Sequence, residues 1–390
     1  MRRVVFRATR DKILPTTITG SYPRPAWSAE ELRGRAFKEA LGDSAFREQY
    51  LDAVCCLIRE QERAGLDILT DGDARFDRTV GGKSWFYYPI ERLRGITGHV
   101  DATTAGSWRT LRPGHILHEV MEAYQPAVVG ARIESGPLQY AELWKVAQRF
   151  TRRPVKLGAI SAQTLAKMLV NRHYASEREL ILDLADVFNA ELRAVAAAGC
   201  QVIQVEEPRH HISAADGSAS DADLQFFTDA LNREIKGVEA ETWLHTCWGN
   251  PNQQPLYWER PSYERALPHL LQTDADVITL ESASTNGWDL RLLAKYKTDK
   301  KIAIGVVSHT TTAVEPPEVV ANLVRRALEY IPPERLILST DCGFGREGLS
   351  RRIAFYKCVA INLGANIVRR ELKLPEVDIP AADPRFTFAG

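Results

Sequence analysis

The runs ADVITLES (275–282), KIAIGVVSH (301–309) and RLILSTDCG (335–343) decide the fold. Each is a short apolar, β-branched strand candidate that ends abruptly in polar residues, and the stretches between them carry a helical period. That alternation belongs to a parallel sheet with crossover helices. Working outward, five further runs share it: TTITGSYP (16–23), DILTDGD (67–73), PVKLGAIS (154–161), QVIQVEEP (201–208) and AETWLHTCWG (240–249). Helices are expected over 44–64, 177–197, 220–235, 317–330 and 349–363, the last with apolar residues at 349, 353, 356, 360 and 363. Eight strands with helices between them predict an α/β fold, a (β/α)8 TIM barrel.

About eighty residues separate the second run from the third, too many for an ordinary βα loop. This long insertion after strand 2, at about 76–150, holds WFYY (85–88), Trp108 and an apolar run at 127–129. It is expected to be an ordered hairpin, a lid or an oligomer contact. From 374 to 390 the Pro-containing sequence reads as a surface tail, and residues 1–390 are expected to form one domain.

Fifty Lys plus Arg balance fifty Asp plus Glu, so charge offers no case for nucleic acid or an acidic membrane as partner, and a small molecule is the better default. The Arg-rich start MRRVVFRATRDK is not followed by the apolar stretch of a secretory signal. No segment approaches the roughly 18 apolar residues of a membrane span, so a cytoplasmic protein is expected. Six cysteines without regular spacing do not make a disulfide framework, which turns any clustered Cys into a metal candidate.

Polar residues gather at the C-terminal ends of the runs: Ser21, Asp71, Asp73, Glu206, Glu207, His245, Cys247, Glu281, His309, Asp341 and Cys342. In a barrel that end is the active-site face. His245 and Cys247 are two apart on a strand and leave the same face. Cys342 ends the last run in DCGFG, and Glu281 closes a strand too apolar to carry a carboxylate without a cation nearby. Together the four make a zinc ligand set. Two thiolates and a carboxylate take Zn²⁺ to a formal −1, a poor activator of water but a good host for an incoming thiol, so thiol activation fits better than hydrolysis. Cys55, Cys56, Cys200 and Cys358 lie away from the mouth and read as packing.

The stretches TTITGSYPRP, TDGD, IQVEEP, LHTCWGN, DADVITLES, VVSH and ERLILSTDCG resemble the catalytic C-terminal half of cobalamin-independent methionine synthases, in a short form lacking the N-terminal half. The resemblance implies a zinc-dependent methyltransferase with metal ligands His245, Cys247, Glu281 and Cys342. It implies His309 as the acid that protonates the methyl donor's leaving group, and Ser21, Asp73 and Glu206 as residues that fix the thiol substrate. Partners would be a small thiol and an alkyl donor, with a methylfolate or methylcorrinoid as methyl source and a homo-oligomer as an option.

Several positions depart from that pattern. The family pairs a Glu with an Asp where this chain has Asp73 and Glu206, and its folate-stacking Trp aligns with Lys167. Arg75, Arg209, His210 and His211 follow strands two and four. They could bind a sulfonate or carboxylate, although exposed surface charge is the expected role for each. Open alternatives are thiol addition to an epoxide, as in epoxyalkane:coenzyme M transferase, a folate-dependent C-methyltransferase, and a non-catalytic zinc-storage or scaffold barrel.

Overall fold

The computed structural model describes residues 4–77, 84–101, 125–249, 261–345 and 349–386; the expected role of Trp108 lies outside them. Seven parallel strands form the main sheet, in the order β1 (Leu69–Thr70), β4 (Val155–Ile160), β6 (Val202–Glu206), β7 (Glu241–His245), β8 (Val277–Leu280), β9 (Lys301–Val307) and β10 (Leu336–Thr340). The eighth member is the segment 15–19, which joins the two edges. Leu338 N donates to Pro15 O at 2.9 Å and Thr17 N to Leu338 O at 3.0 Å, while Asp67 N and Ile68 N both donate to Thr16 O. The barrel is therefore closed, as expected.

This closing segment is less regular than a strand over 16–23 would be. Its threonine side chains take over backbone positions in the ladder: Thr19 N donates to Thr340 Oγ1 at 2.9 Å, Thr19 Oγ1 to Thr340 O at 3.0 Å, and Thr17 Oγ1 to Ile68 O at 2.9 Å. At the opposite end of the barrel, Trp243 packs with Ala8, Ile68, Val202, Val277, Ala303 and Ile337. There Glu241 Oε2 accepts the backbone N–H of Arg7 and of Thr9, so the N-terminal segment caps the bottom.

The helices follow their caps. Ser176 caps the helix Glu177–Ala197, and Ser220 with Asp223 forms a full capping box on Asp221–Glu234. The helix Arg351–Glu371 runs eight residues past the expected end at Leu363. Gly364 is not a stop signal but a contact point, because a Cβ there would lie 2.5 Å from Val320 on the helix Pro317–Leu328. None of the helices described is long and apolar enough to cross a membrane.

After β1 the chain leaves the barrel for the helix Ser84–Ile90 and the antiparallel pair β2 (Arg94–His99) and β3 (Ala127–Glu134), which β5 (Val170–Asn171) extends to three strands. This insertion is pinned by a buried ion pair: Arg92 bonds both carboxylate oxygens of Asp77, at 2.7 and 2.9 Å, and lies 3.9 Å over the Tyr88 ring. Asp77 follows the loop that carries Asp73, so the same pair ties the insertion to the mouth.

Candidate metal and substrate site

His245 ends β7 and Cys247 follows two residues later; both are buried. His245 Nδ1 lies 2.7 Å from Thr279 Oγ1 on β8, which sets the ring's orientation. Cys342 stands two residues beyond β10, with its Sγ 3.1 Å from Cys247 Sγ. The ligand atoms of His245, Cys247 and Cys342 all lie within 4.8 Å of one another.

Glu281, the first residue after β8, lies beside this trio rather than in it. Its Oε2 accepts Trp248 N at 2.7 Å, one residue after Cys247, and its Oε1 accepts the Ser284 hydroxyl at 2.5 Å. It falls in a second group, again within 4.8 Å, with His309 and Asp341. Burial pushes the Glu281 carboxyl well above the ordinary range, and Asp341 adds to the effect. Asp341 accepts the backbone N–H groups of Ser282, Ala283 and Ser284 at 2.6–2.8 Å, and thereby fixes the loop that Glu281 opens. Burial nevertheless raises its own pKa to about 6.

The donor set fits zinc. A tetrahedral ion with Zn–S bonds of about 2.3 Å holds two thiolates about 3.8 Å apart, so a small spreading of the two sulfurs would admit it. Glu281, anchored beside Cys247, is in place to become the fourth donor.

The substrate-site candidates gather on neighbouring elements. Glu206 ends β6 in register with His245 and is half-buried. A Cβ added to Gly20 would lie 3.2 Å from Glu206 Oε1 and 3.3 Å from Asp73 Oδ2, so the two carboxylates converge over a glycine. Asp73 adopts a left-handed backbone, φ 51°, stabilised by its N–H donating to Asp71 Oδ1 at 2.9 Å. Burial pushes its carboxyl up to about 6 against the pull of Arg75. Ser21 braces the turn after Cys342, accepting Phe344 N at its carbonyl and Gly345 N at its hydroxyl.

The expectation that Arg75, His210 and His211 are exposed surface charges is overturned, because all three are buried. Arg75 faces Asp73 Oδ1 at 3.1 Å and Asp71 Oδ2 at 3.5 Å, and donates to Gly158 O at 2.7 Å. Burial alone would weaken its charge; the two carboxylates outweigh that and raise its pKa. Burial instead drives His210 and His211 down to about 3, so both are neutral. His211 Nε2 sits 2.7 Å from Cys247 O and its ring packs on Trp248 and Tyr263. Arg209 is half-buried and bound to Glu177 at 2.6 Å. Lys167 is exposed at the end of the helix Ala162–Lys167.

Three contributors were not singled out from sequence: Thr279, Lys156 and Gln204. Lys156 is wholly buried, its Nζ donating to Ile18 O at 2.8 Å and to Gln204 Oε1 at 2.7 Å. The signal was present in PVKLGAIS, where period-two alternation puts Lys156, Gly158 and Ile160 on one face of β4.

Comparison with known proteins places the fold and the family. A methionine synthase of Saccharolobus solfataricus is 30% identical over 362 residues, which covers 93% of this chain and 96% of that protein. The methionine synthase of Sulfurisphaera tokodaii is also 30% identical, over 93% of this chain and 94% of its own length. A B12-independent methionine synthase from Shewanella sp. W3-18-1, solved in complex with selenomethionine, superposes with a TM-score of 0.75 at 25% identity, covering 93% of this chain and 99% of that one. A Listeria monocytogenes protein described as a putative vitamin-B12 independent methionine synthase shares the fold, with a TM-score of 0.61 at 16% identity over 94% of this chain and 99% of that one. Residues 14–355 match the family model for the catalytic domain of cobalamin-independent synthase, and the chain belongs to that family.

Proposed function

We propose that this protein is a zinc-dependent methyltransferase that moves a methyl group from a methylfolate or methylcorrinoid to the sulfur of homocysteine. The observation that carries the reading is the two-sided mouth. Sulfur and imidazole donors gather at the C-terminal ends of β7 and β10, and the Asp73–Glu206 carboxylates converge one strand away, with Glu206 in register with His245. A thiol that also bears an ammonium group matches both sides. The Shewanella relative holds selenomethionine, the selenium counterpart of the methylated product.

His245, Cys247, Glu281 and Cys342 would hold the zinc, which when bound lowers the pKa of an incoming thiol from about 8.5 so that it reacts as thiolate. The chain's own residues supply the rest. Asp73 and Glu206 take the substrate's ammonium, and Ser21 braces the turn that presents Cys342. With a methylfolate as donor, His309, buried beside Glu281 and Asp341, protonates the leaving nitrogen as the methyl group passes to sulfur; a methylcorrinoid's cobalt keeps the bonding electron pair and needs no proton. An acid is needed there because a tertiary amine nitrogen leaves poorly until it is protonated.

A sulfonate-bearing thiol with an epoxide is less well supported. Arg75 is already opposed by two carboxylates, Arg209 by Glu177, and His210 and His211 are neutral. The deciding experiment crosses homocysteine and coenzyme M with methylfolate, methylcobalamin and epoxide donors, scored by thioether product. Methionine formation from one of the two methyl donors is expected. Product only from coenzyme M and an epoxide would overturn the proposal.

A further inference from the structure

Lys156 is wholly buried inside the barrel, where a lysine is costly unless it is hydrogen-bonded and faced by opposite charge. Its ammonium lies 4.6 Å over the Trp243 ring as well as bonding Ile18 O and Gln204 Oε1. The Gln204 amide passes the contact upward: its Nε2 donates to Thr19 O at 2.7 Å and lies 3.4 Å from Glu206 Oε1. Directly above Lys156 on the same face of β4 stands Gly158, where a Cβ would lie 3.3 Å from Glu206 Oε1 and 3.7 Å from Asp73 Oδ1. The two carboxylates thus occupy the space that the missing side chain leaves over the buried cation.

We propose that Lys156, acting through Gln204, is a positioning residue that holds the Asp73–Glu206 pair as an anionic cradle for the substrate's ammonium group. This rests on the reading that the pair binds that group. Charged neighbours face Lys156 from three elements. Glu206 comes from β6, Asp73 from the loop after β1, where Asp71 and Arg75 flank it, and Glu241 from the start of β7. Burial pulls Lys156 down to about 7, while Glu206, Asp73 and Glu241 push the other way and favour its charged form.

The test uses the zinc-loaded enzyme, with homocysteine and with 4-mercaptobutyrate, which keeps the thiol and carboxylate but lacks the amine. In Lys156→Met, KM for homocysteine should rise about tenfold while kcat changes far less. The acid limb of kcat/KM should move up by about one pH unit, since a carboxylate without its cation is harder to ionise. Kinetics with 4-mercaptobutyrate and the zinc content should not change. If Lys156→Met does not fold, Gln204→Met, which breaks the same chain of bonds, should show the same rise and the same direction of limb shift. A wild type that prefers homocysteine, with variants matching it in KM and acid limb, overturns the role of Lys156 and leaves the amine reading standing. A wild type indifferent to the amine overturns both. Loss of zinc in the variants would mark Lys156 as structural and overturn the proposal.

Discussion

Cys342 is where the metal reading is most exposed to test. Its sulfur lies 3.1 Å from that of Cys247, so Cys342→Ser removes one of two thiolates and should lose zinc and activity together, measured as metal per chain and product formed. Full zinc at full rate would end the assignment. His309→Asn should keep its zinc and slow transfer from a methylfolate by about a hundredfold or more, the usual worth of a positioned acid; an unchanged chemical step with that donor would remove His309 from the reaction. At this scale the sequence was informative wherever a residue's role follows from its place at a strand end. His245, Cys247 and Cys342 meet because parallel strands deliver their ends to one mouth. It was uninformative wherever the role depends on a distant partner. Arg75 reads as a surface cation until Asp71, Asp73, Tyr88 and Tyr140 surround it. Lys156 draws no notice in PVKLGAIS, and its place is set by Gln204 and Ile18, which accept from its ammonium.

At the level of elements, the insertion and the mouth are one mechanical unit because Arg92 and Asp77 are both fully buried and doubly bonded. Arg92→Ala would leave the Asp77 carboxylate buried without its cation and should cost about 3–5 kcal/mol of stability, read from urea denaturation. A loss below about 1 kcal/mol would show that the pair does not hold the insertion. The elements themselves were largely legible: the helix expected over 177–197 is found as Glu177–Ala197, and each of the seven strands of the main sheet falls inside its quoted run. Two differences have local causes. The first run is irregular because threonine hydroxyls replace backbone partners. The last helix continues because Gly364 serves a helix contact that only the packed fold reveals.

For the molecule as a whole, acid should act through the helix Pro208–Ala215, which follows Glu206 and carries both neutral histidines. His210 is buried, with Nε2 3.2 Å from Leu224 O, and burial with the neighbouring His269 holds it down to about 3. In the unfolded chain it titrates near 6.5. The unfolded state therefore binds more protons between those values, so this contribution to stability is complete above about pH 6.5 and is lost as pH falls towards 3. The slope approaches 1.36 kcal/mol per pH unit for each such histidine. Glu207 and Glu234 oppose it: burial raises both, so the folded state takes their protons more readily and gains stability as pH falls into their range. Total stability therefore mixes two signs, and the informative quantity is a difference. Between pH 6 and pH 5, wild type should lose about 1 kcal/mol more than His210→Gln, measured by urea denaturation at each pH. Parallel losses in the two proteins would mean that His210 is not held neutral, and the packing assigned to this helix would then be wrong. The same titration sets the floor for kinetic work, because an acid limb of kcat/KM is attributable to the substrate site only at pH values where the helix beside it is still folded.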